Sequence, residues 1–275
     1  MLLPALAMVA TAGAQDENTL TPPLVSARGM AMGNSLVPTV DDASASIWNP
    51  ARLTRIPRFS AMIDWSRFDF SVHQLYVGAG YGDGVNGFGI SYRTVDLGNL
   101  VGFHFDERTI TLGYGRRFNN LSVGLAYNFV DVSSAFANAK GNHWTFGLDY
   151  ETDDQWVFAF RASDVGSRLT YDGAPTVHSR SMYDIAAAKS FRVDGRNLLV
   201  SATLADFGKV KFHHMVRLGA ELELEQGFKL RAGLQGGRLT GGLGFETPQG
   251  FSAAIAFASF PGIGRVFSIT AGFRF

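Results

Sequence analysis

Short stretches of alternating apolar and polar residues run through most of this 275-residue chain, and they constrain its fold more than any other feature. In the last stretch, Phe275, Phe273 and Ile269 alternate with Arg274 and Thr270. Because successive side chains of a strand point to opposite faces, this strand has one apolar and one polar face. We interpret Phe273 and Phe275 as the assembly signal on the closing strand of a bacterial outer-membrane β-barrel, whose apolar face meets lipid.

About fourteen such segments follow one another from Phe59 onward, each of the length that crosses a membrane at a tilt. They cover residues 59–67, 71–81, 86–96, 107–118, 121–133, 142–151, 155–163, 181–192, 197–206, 213–224, 227–235, 238–246, 250–259 and 264–275. The predicted fold class is all-β, a closed antiparallel transmembrane barrel. Segment boundaries leave a count of about twelve strands open. A soluble, immunoglobulin-like sandwich is the structural alternative.

The width of the ring and the lengths of the connections both favour a membrane barrel. About eight strands already fill the interior of a soluble barrel with side chains, so a ring of fourteen is too wide for one. Connections after even-numbered strands are tight, such as Asp83-Gly84 and Asp194-Gly195, whereas residues 97–106, 134–141 and 164–180 form longer connections after odd-numbered strands. Short periplasmic turns alternating with longer external loops are typical of outer-membrane barrels.

The composition excludes several functional classes. The chain carries 24 basic and 24 acidic residues, so no global field favours nucleic acid. It contains no cysteine, which excludes disulfides and thiolate metal sites. We therefore expect no nucleic-acid partner, no metal and no cofactor. The sequence has no apolar run long enough for a transmembrane helix.

The N-terminal region lacks strand alternation and divides into two predicted parts. Residues 1–14 are apolar and end in Ala12-Gly13-Ala14, which predicts a signal peptide; the alternative is a buried N-terminal helix. No basic residue precedes the apolar run, so the sequence does not fix the true start of this peptide. Residues 15–58 then form a predicted hatch segment, and residues 59–275 form the barrel.

Three short motifs in the hatch segment carry a family resemblance. They are SARGMAMGNS at residues 26–35, DDASA at residues 41–45 and WNPARL at residues 48–53. In this order and spacing they resemble the N-terminal signature of the PorV/PorQ family, which is shared with FadL-type transporters. The resemblance implies a fourteen-stranded barrel with the N-terminal segment folded into its lumen as a hatch. This chain is smaller than typical members, so the elaborate external loops of FadL-type ligand capture are not expected.

The hatch motifs supply candidate gating residues. These are Gly29, Gly33, Asp41, Asp42, Trp48, Asn49 and Pro50. The glycines let the backbone approach the barrel wall, and the stretch from Asp41 to Trp48 predicts a short helix that ends before Pro50. We expect the two aspartates to meet lumen arginines such as Arg217 and Arg231. The segment either seals the barrel or gates it.

The polar faces of the strands supply candidate lumen charges. These are Asp149, Arg161, Arg217, Glu221, Glu223, Arg231 and Arg274. Glu221 and Glu223 share one face and form either an acid–base pair or part of a paired charge network. The network is the favoured interpretation because buried charges are normally paired.

Other patterns give no functional site. The glycine motif at residues 82–87 joins two strands, so it predicts a hairpin and not a dinucleotide site. His213 and His214 point to opposite faces of a strand and cannot chelate a metal together. No hydrolase signature surrounds His143 or His178, and we predict that the protein is not an enzyme.

Two functions from different classes remain. The first, implied by the PorV/PorQ resemblance, is a docking or accessory component for protein secretion or surface attachment, as in type IX secretion. The second is a FadL-like channel for hydrophobic small molecules, gated by the hatch. The hatch motifs favour the first slightly, and a charged lumen weighs against a large apolar capture site. Expected partners are outer-membrane lipid, the barrel-assembly machinery, and secreted cargo proteins or a hydrophobic ligand.

Overall fold

One antiparallel sheet closes into a ring in the computed structural model of the protein. The structure describes residues 25–69, 72–100, 103–134, 137–173, 175–206, 216–260 and 264–275. The predicted signal peptide at residues 1–14, the first ten residues of the predicted hatch segment and the pair His213-His214 lie outside these ranges.

The sheet contains 15 strands, of which one lies outside the ring. The strands are β1 Arg58–Phe68, β2 His73–Gly82, β3 Asn86–Leu100, β4 Phe103–Phe118, β5 Leu121–Ser134, β6 Ala139–Glu151, β7 Trp156–Tyr171, β8 Thr176–Val177, β9 Met182–Val193, β10 Arg196–Leu204, β11 Val216–Glu223, β12 Phe228–Gln235, β13 Arg238–Glu246, β14 Phe251–Phe260 and β15 Gly264–Arg274. The two-residue β8 pairs only with β7, while β6–β7 and β1–β15 pairings complete the ring. The predicted closed barrel of fourteen strands is confirmed.

The first and last strands meet at the seam that closes the barrel. The register places Trp65 opposite Ile269. Beyond the last ladder pair, the Phe275 N–H donates to the Phe59 carbonyl and the Phe59 N–H to the Phe275 carbonyl, both at 3.1 Å. Their rings are also neighbours, with centroids 5.5 Å apart. The terminal aromatic residue is therefore a structural part of the seam.

The outward face of the barrel is apolar around the ring, as the alternation predicts. In β15, Ile269 is 44% exposed while its neighbour Ser268 is fully buried on the inner face. Aromatic side chains are exposed near both ends of the strands, with Tyr150 and Trp156 at one end and Trp144 nearer the other. Such a surface suits a lipid bilayer with aromatic residues at its two interfaces.

The two ends of the barrel differ in their connections. At one end, here called the turn end, the connections are residues 83–85, 119–120, 152–155, 194–195, 224–227 and 247–250. By the rule for outer-membrane barrels, this end faces the periplasm and the opposite loop end faces outward. The glycine motif at residues 82–87 forms the hairpin turn between β2 and β3, with Gly82 paired to Gly87.

Two of the predicted long loops are mostly strand, which corrects the sequence prediction. Residues 97–100 continue β3 and residues 103–106 begin β4, and β7 runs on to Tyr171 past a left-handed residue, Asp164, with φ of 57°. Past the apolar part of the outer surface, both faces of these strands carry polar residues. The sequence therefore stops alternating there, although the strands remain paired. Strands β3–β7 have 13–16 residues whereas β10–β13 have 8–9, so the wall is taller on one side.

In the ranges that the structure describes, the helical elements are short and three of the four lie before β1. They are α1 Ala27–Ala31, α2 Ala45–Trp48, a 3₁₀ helix Pro50–Arg55 and a 3₁₀ turn Glu225–Gly227. The helix predicted from Asp41 begins only at Ala45, because the Asp42 carboxylate accepts hydrogen bonds from the Ser44 N–H and hydroxyl and forms a turn there. Among the described residues, no helix has the length and apolarity needed to cross a membrane.

The closed ladder predicts a measurable property. We expect the folded protein to migrate faster in electrophoresis than the boiled protein, because every strand of a closed barrel is hydrogen-bonded on both sides and detergent alone does not open it. Unheated and boiled samples in a semi-native gel test this. Identical mobilities, or recovery of the protein in the soluble fraction, would contradict the membrane barrel.

Candidate functional site

The described part of the hatch segment, residues 25–57, lies inside the barrel and fills its lumen. It is called the hatch below. Its large side chains Met32, Leu36, Val40 and Trp48 are completely buried. They form the main apolar cluster of the molecule together with wall residues that include Ala159 and other small side chains. The core of this barrel is therefore made by the hatch.

A row of glycines on the inner wall forms the seat of the 3₁₀ helix. In register across β2–β6, the row consists of Gly82, Gly87, Gly115, Gly124 and Gly147. A Cβ atom added at Gly115 would lie 2.6 Å from the Pro50 carbonyl oxygen, and one at Gly124 would overlap the backbone of Pro50 and Ala51. The hatch backbone thus lies directly on the sheet, which only glycine permits.

No single stretch of the sequence shows this row. The glycines are spread over 66 residues of sequence, from Gly82 to Gly147, and only the strand register aligns them. One sequence pattern does point to the row: within each strand these glycines occupy the alternate positions that face the lumen, and the aromatic residues occupy those that face lipid.

The two predicted hatch glycines have different surroundings. Gly33 adopts a left-handed conformation with φ of 63°, and a Cβ there would lie 2.6 Å from the Leu218 carbonyl oxygen of the wall. Gly29 packs within the hatch, where a Cβ would lie 3.0 Å from Trp48 Cζ2. The predicted close approach to the wall therefore describes Gly33 and not Gly29.

Asn49 joins the hatch to itself and to the wall. Its Nδ2 donates to the carbonyls of Val37 at 3.0 Å and Leu148 at 3.2 Å, and its Oδ1 accepts from the Ala51 N–H at 3.2 Å. Pro50 begins the 3₁₀ helix directly after α2 ends at Trp48. These are the backbone bonds that the Asn-Pro motif predicts at the helix exit.

Ion pairs fix one side of the hatch beside the glycine row. Arg52 Nη1 lies 2.8 Å from Asp149 Oδ1, and Arg55 lies 3.4 Å from Asp149 and 2.5 Å from Glu151. The Asp149 side chain is completely buried, so both arginines neutralise a charge that the lumen would otherwise leave unpaired.

A second network holds the opposite side of the hatch. Arg28 lies 2.7 Å from Asp41 and 3.0 Å from Glu221, while Asp41 also lies 3.4 Å from Arg274. Burial alone would raise the pKa of the Asp41 carboxyl, but the Arg28 and Arg274 guanidiniums outweigh it and lower this pKa to about 2. Asp41 is therefore ionised throughout the physiological range, and the network stays charged.

This network corrects the predicted partners of the two aspartates. Asp41 meets Arg274 and not Arg217 or Arg231, and Asp42 is used in the local turn before α2. The reason is register: Arg231 lies opposite Glu221 on β11 and pairs with it at 2.6 Å.

The remaining predicted lumen charges all lie on the inner wall. Glu221 contacts Arg28 and Arg231, and Glu223 lies 3.6 Å from Lys229, which agrees with the charge network favoured over an acid–base pair. Arg161 pairs with Asp184 on β9. No group of three potential metal ligands occurs among the residues that the structure describes.

Below the hatch, a cavity of about 440 Å³ opens toward the turn end. Its charged lining includes Arg28, Asp41, Arg52, Glu221, Lys229 and Arg274. It is a polar vestibule on the periplasmic side, and its ceiling is the hatch itself.

On the other side of the hatch, the tall wall carries an apolar patch. Val95, Val132 and Ala139 are almost fully buried and lie in one cross-strand row, in which Glu107 stands between Val95 and Val132. Val130 and Leu169 lie in the row beside it, together with Arg93, which pairs with Glu107 at 2.7 Å. Directly opposed residues of antiparallel strands share a face, so all five apolar side chains line the lumen. We call them the upper apolar patch. Val95 lies about 26 Å along β3 from Gly87 of the glycine row, at a rise of about 3.3 Å per residue.

No protein-family model and no curated protein matches the sequence. Several solved structures are similar in fold. The CymD monoaromatic hydrocarbon channel is 12% identical, with 94% of this chain and 99% of that chain covered and a TM-score of 0.65. The Pseudomonas putida toluene transporter TodX is 12% identical over 90% and 96% of the chains, with a TM-score of 0.60. A FadL homologue from Pseudomonas aeruginosa is 13% identical over 91% and 98%, with a TM-score of 0.57.

These similarities establish the fold of the chain as that of the FadL-like outer-membrane barrels. Together with the apolar outer surface, they place it in the bacterial outer membrane. The FadL-like barrel fold that the resemblance implies is confirmed, and the PorV/PorQ assignment stays a prediction. The neighbours are channels and transporters and not enzymes.

Proposed function

We propose that the protein is a channel through which small hydrophobic molecules cross the outer membrane, and that the hatch gates it. The observation that carries this proposal is the upper apolar patch. The interior of a diffusion porin is polar, whereas here the apolar side chains of Val95, Val132 and Ala139 lie on the inner face of the wall on the outer side of the hatch, packed beside the Arg93–Glu107 ion pair. The fold shared with hydrocarbon channels supports the same substrate class.

Passage requires the hatch to move. The buried side chains of the hatch fill the lumen between the upper apolar patch and the periplasmic vestibule. Polar bonds hold it at separate points, such as the hydroxyl contact of 2.9 Å between Ser35 and Thr203 on β10. A partial displacement that breaks one set of bonds and keeps the others is the simplest route to an open path.

The docking role implied by the PorV/PorQ resemblance is the second candidate. The observation that favours it is the extension of β3–β7 past the apolar belt, where Arg108, Lys140 and Arg168 face outward and are exposed. In that role the hatch is a permanent plug, so its movement has no bearing on function.

A disulfide across the hatch contact separates the two candidates. The chain has no native cysteine, and the 2.9 Å between the two hydroxyl oxygens puts cysteine sulfurs at these positions within bonding reach. We expect the oxidised S35C/T203C double variant to block entry of the apolar dye N-phenyl-1-naphthylamine into intact Gram-negative cells. Reduction should restore entry.

The single variant T203C, treated with the same oxidant and reductant, is the matched control. Dye entry that equals the rate of cells lacking the protein in both redox states would overturn the channel proposal and favour docking. Entry that is faster than this rate and independent of the redox state would show that Ser35 does not separate from Thr203 during passage.

A further inference from the structure

A histidine lines the lumen on the outer side of the hatch. His143 of β6 shares a cross-strand row with Asn128 and Thr111. This row lies two residues along β4 from Gly113, toward the loop end. A Cβ atom added at Gly113 would lie 3.2 Å from Ser46 Cβ of the hatch. His143 is therefore on the inner wall directly above the hatch.

The Asp164 carboxylate fixes the orientation and the tautomer of the His143 ring. His143 Nδ1 lies 3.1 Å from Asp164 Oδ1. The register of β6 and β7 shifts on both sides of Trp144, and Asp164 has the left-handed φ of 57°. A bulge of this kind re-aims a side chain, and here it turns the carboxylate toward the ring. Because an ionised carboxylate only accepts hydrogen bonds, Nδ1 carries the proton and Nε2 carries a lone pair.

The lone pair on Nε2 is open to the lumen. Asn128 Nδ2 approaches the ring at Nδ1, at 3.5 Å, and no described residue donates a hydrogen bond to Nε2. The His143 side chain is 19% exposed, so water or a ligand can reach this atom. An oriented acceptor with a free lone pair is available to a ligand that carries an N–H or O–H group.

Apolar side chains lie beside this acceptor on the side of the loop end. Val130 and Leu169 of the upper apolar patch lie in the next cross-strand row, on either side of Gly141. Leu169 covers Gly141, since a Cβ atom added there would lie 2.9 Å from Leu169 Cδ1. The acceptor is thus at the edge of an apolar surface, which suits a hydrocarbon body that carries one donor.

The nearby charges disfavour an anion at this place. The charged groups that face His143 are Asp164, Glu107 and Arg93, and Arg93 pairs with Glu107 at 2.7 Å. With a neutral imidazole, this group carries a net negative charge, which repels a carboxylate. The site therefore suits a neutral hydroxyl group.

We propose that His143, oriented by Asp164, accepts a hydrogen bond from the hydroxyl group of a phenol or an alcohol in the outer part of the lumen. The inference rests on the proposed function and narrows its substrate class to apolar molecules with a neutral hydroxyl group. His143 contacts the ligand and determines specificity, whereas Asp164 acts through His143 as a positioning residue. A site that hydrogen-bonds a hydroxyl group rejects the analogue that lacks it.

Two compounds of the same shape separate the hydroxyl group from the hydrocarbon body. p-Cresol carries a hydroxyl group where p-xylene carries a methyl group. Isothermal titration calorimetry of the folded protein measures the affinity for each compound, at one detergent concentration so that partitioning into micelles is the same for every variant. H143L should weaken p-cresol binding about fivefold, the effect of losing one neutral hydrogen bond, and should leave p-xylene binding unchanged.

His178 provides the matched control. It is exposed in the connection before β9, where its Nδ1 lies 2.9 Å from the Ser167 carbonyl oxygen. We expect H178L to bind both compounds as the parent protein does.

The variant D164G tests the positioning role of the aspartate. Glycine retains the left-handed backbone of the bulge and removes the carboxylate. Nitrogen chemical shifts of the labelled His143 ring report which nitrogen carries the proton. We expect the proton on Nδ1 in the parent protein and on Nε2 in D164G, in which p-cresol binding falls as it does in H143L.

Three results would overturn the proposal. Unchanged p-cresol affinity in a folded H143L would remove His143 from the site, and an equal loss of p-xylene affinity would remove the hydroxyl group from the argument. Binding of 4-methylbenzoate that is tighter than that of p-cresol, and weakened in H143L, would assign the site to anions. If H143L lacks the mobility shift of a folded barrel, the p-cresol affinity and the tautomer of D164G decide. These equilibrium measurements need no passage through the barrel, so their failure is distinguishable from failure of the channel proposal.

Discussion

Deletion of residues 26–55 is expected to convert a closed barrel into an open, conducting pore. The strands carry their own hydrogen-bond ladder around the full ring, and a ring of this width is not filled by its own wall side chains. Removing the hatch leaves Asp149 without its arginine partners and leaves Glu221 with Arg231 alone. In the open lumen these carboxylates become hydrated, so the barrel loses little stability.

Planar-bilayer conductance of the intact and truncated proteins measures this effect. The intact protein should show no steady conductance, and the truncated protein should show single-channel steps of uniform size. The mobility shift on heating first establishes that the truncated barrel is folded. A synthetic peptide of residues 25–57 added to the open pore serves as the control and should lower the conductance. A folded, truncated barrel that stays closed would contradict the assignment of residues 25–57 as the plug.

Substitution of Gly124 by valine should open the barrel without removing any of the hatch. A Cβ atom at Gly124 would overlap Ala51 N and the Pro50 carbonyl carbon. Because these are backbone atoms within a short 3₁₀ helix, no side-chain rotation relieves the overlap, and the helix must leave its seat. Valine itself suits a β-strand, so the wall is preserved.

Gly241→Val is the matched control. Gly241 is also a strand glycine, but a Cβ there meets only the Arg231 carbonyl oxygen, at 3.6 Å, which is ordinary van der Waals contact. We expect G124V to conduct in planar bilayers and G241V to stay as closed as the parent protein. Equal behaviour of the two variants would show that the hatch does not depend on the glycine row.

The G124V and S35C/T203C variants together show how the hatch opens. The bonds of the hatch fall into separate groups, with Arg52 and Arg55 on Asp149 at the glycine row, Arg28 on Glu221 across the lumen, and Ser35 on Thr203 of β10. G124V disturbs the first group and S35C/T203C fixes the last. Comparing them identifies which part of the hatch moves when the path opens.

The sequence alone determined the barrel. Alternation with a period of two is a local property, so each strand shows its lipid-facing and lumen-facing residues without knowledge of its neighbours. The positions of the strands, the tight turns and the inward position of charges such as Arg161 and Glu221 follow from it, whereas the choice of fourteen strands over twelve came from the structure. The Asn-Pro motif likewise predicted the end of α2, because proline restricts the residue before it.

Only the tertiary structure decided which residues of the hatch and the wall contact each other inside the ring. Asp41 pairs with Arg274, which is 233 residues away, and Arg28 with Glu221, which is 193 residues away. The glycine row exists only when five strands are in register. Strand register and hatch position are fixed by packing across the whole lumen, so no window of sequence contains them.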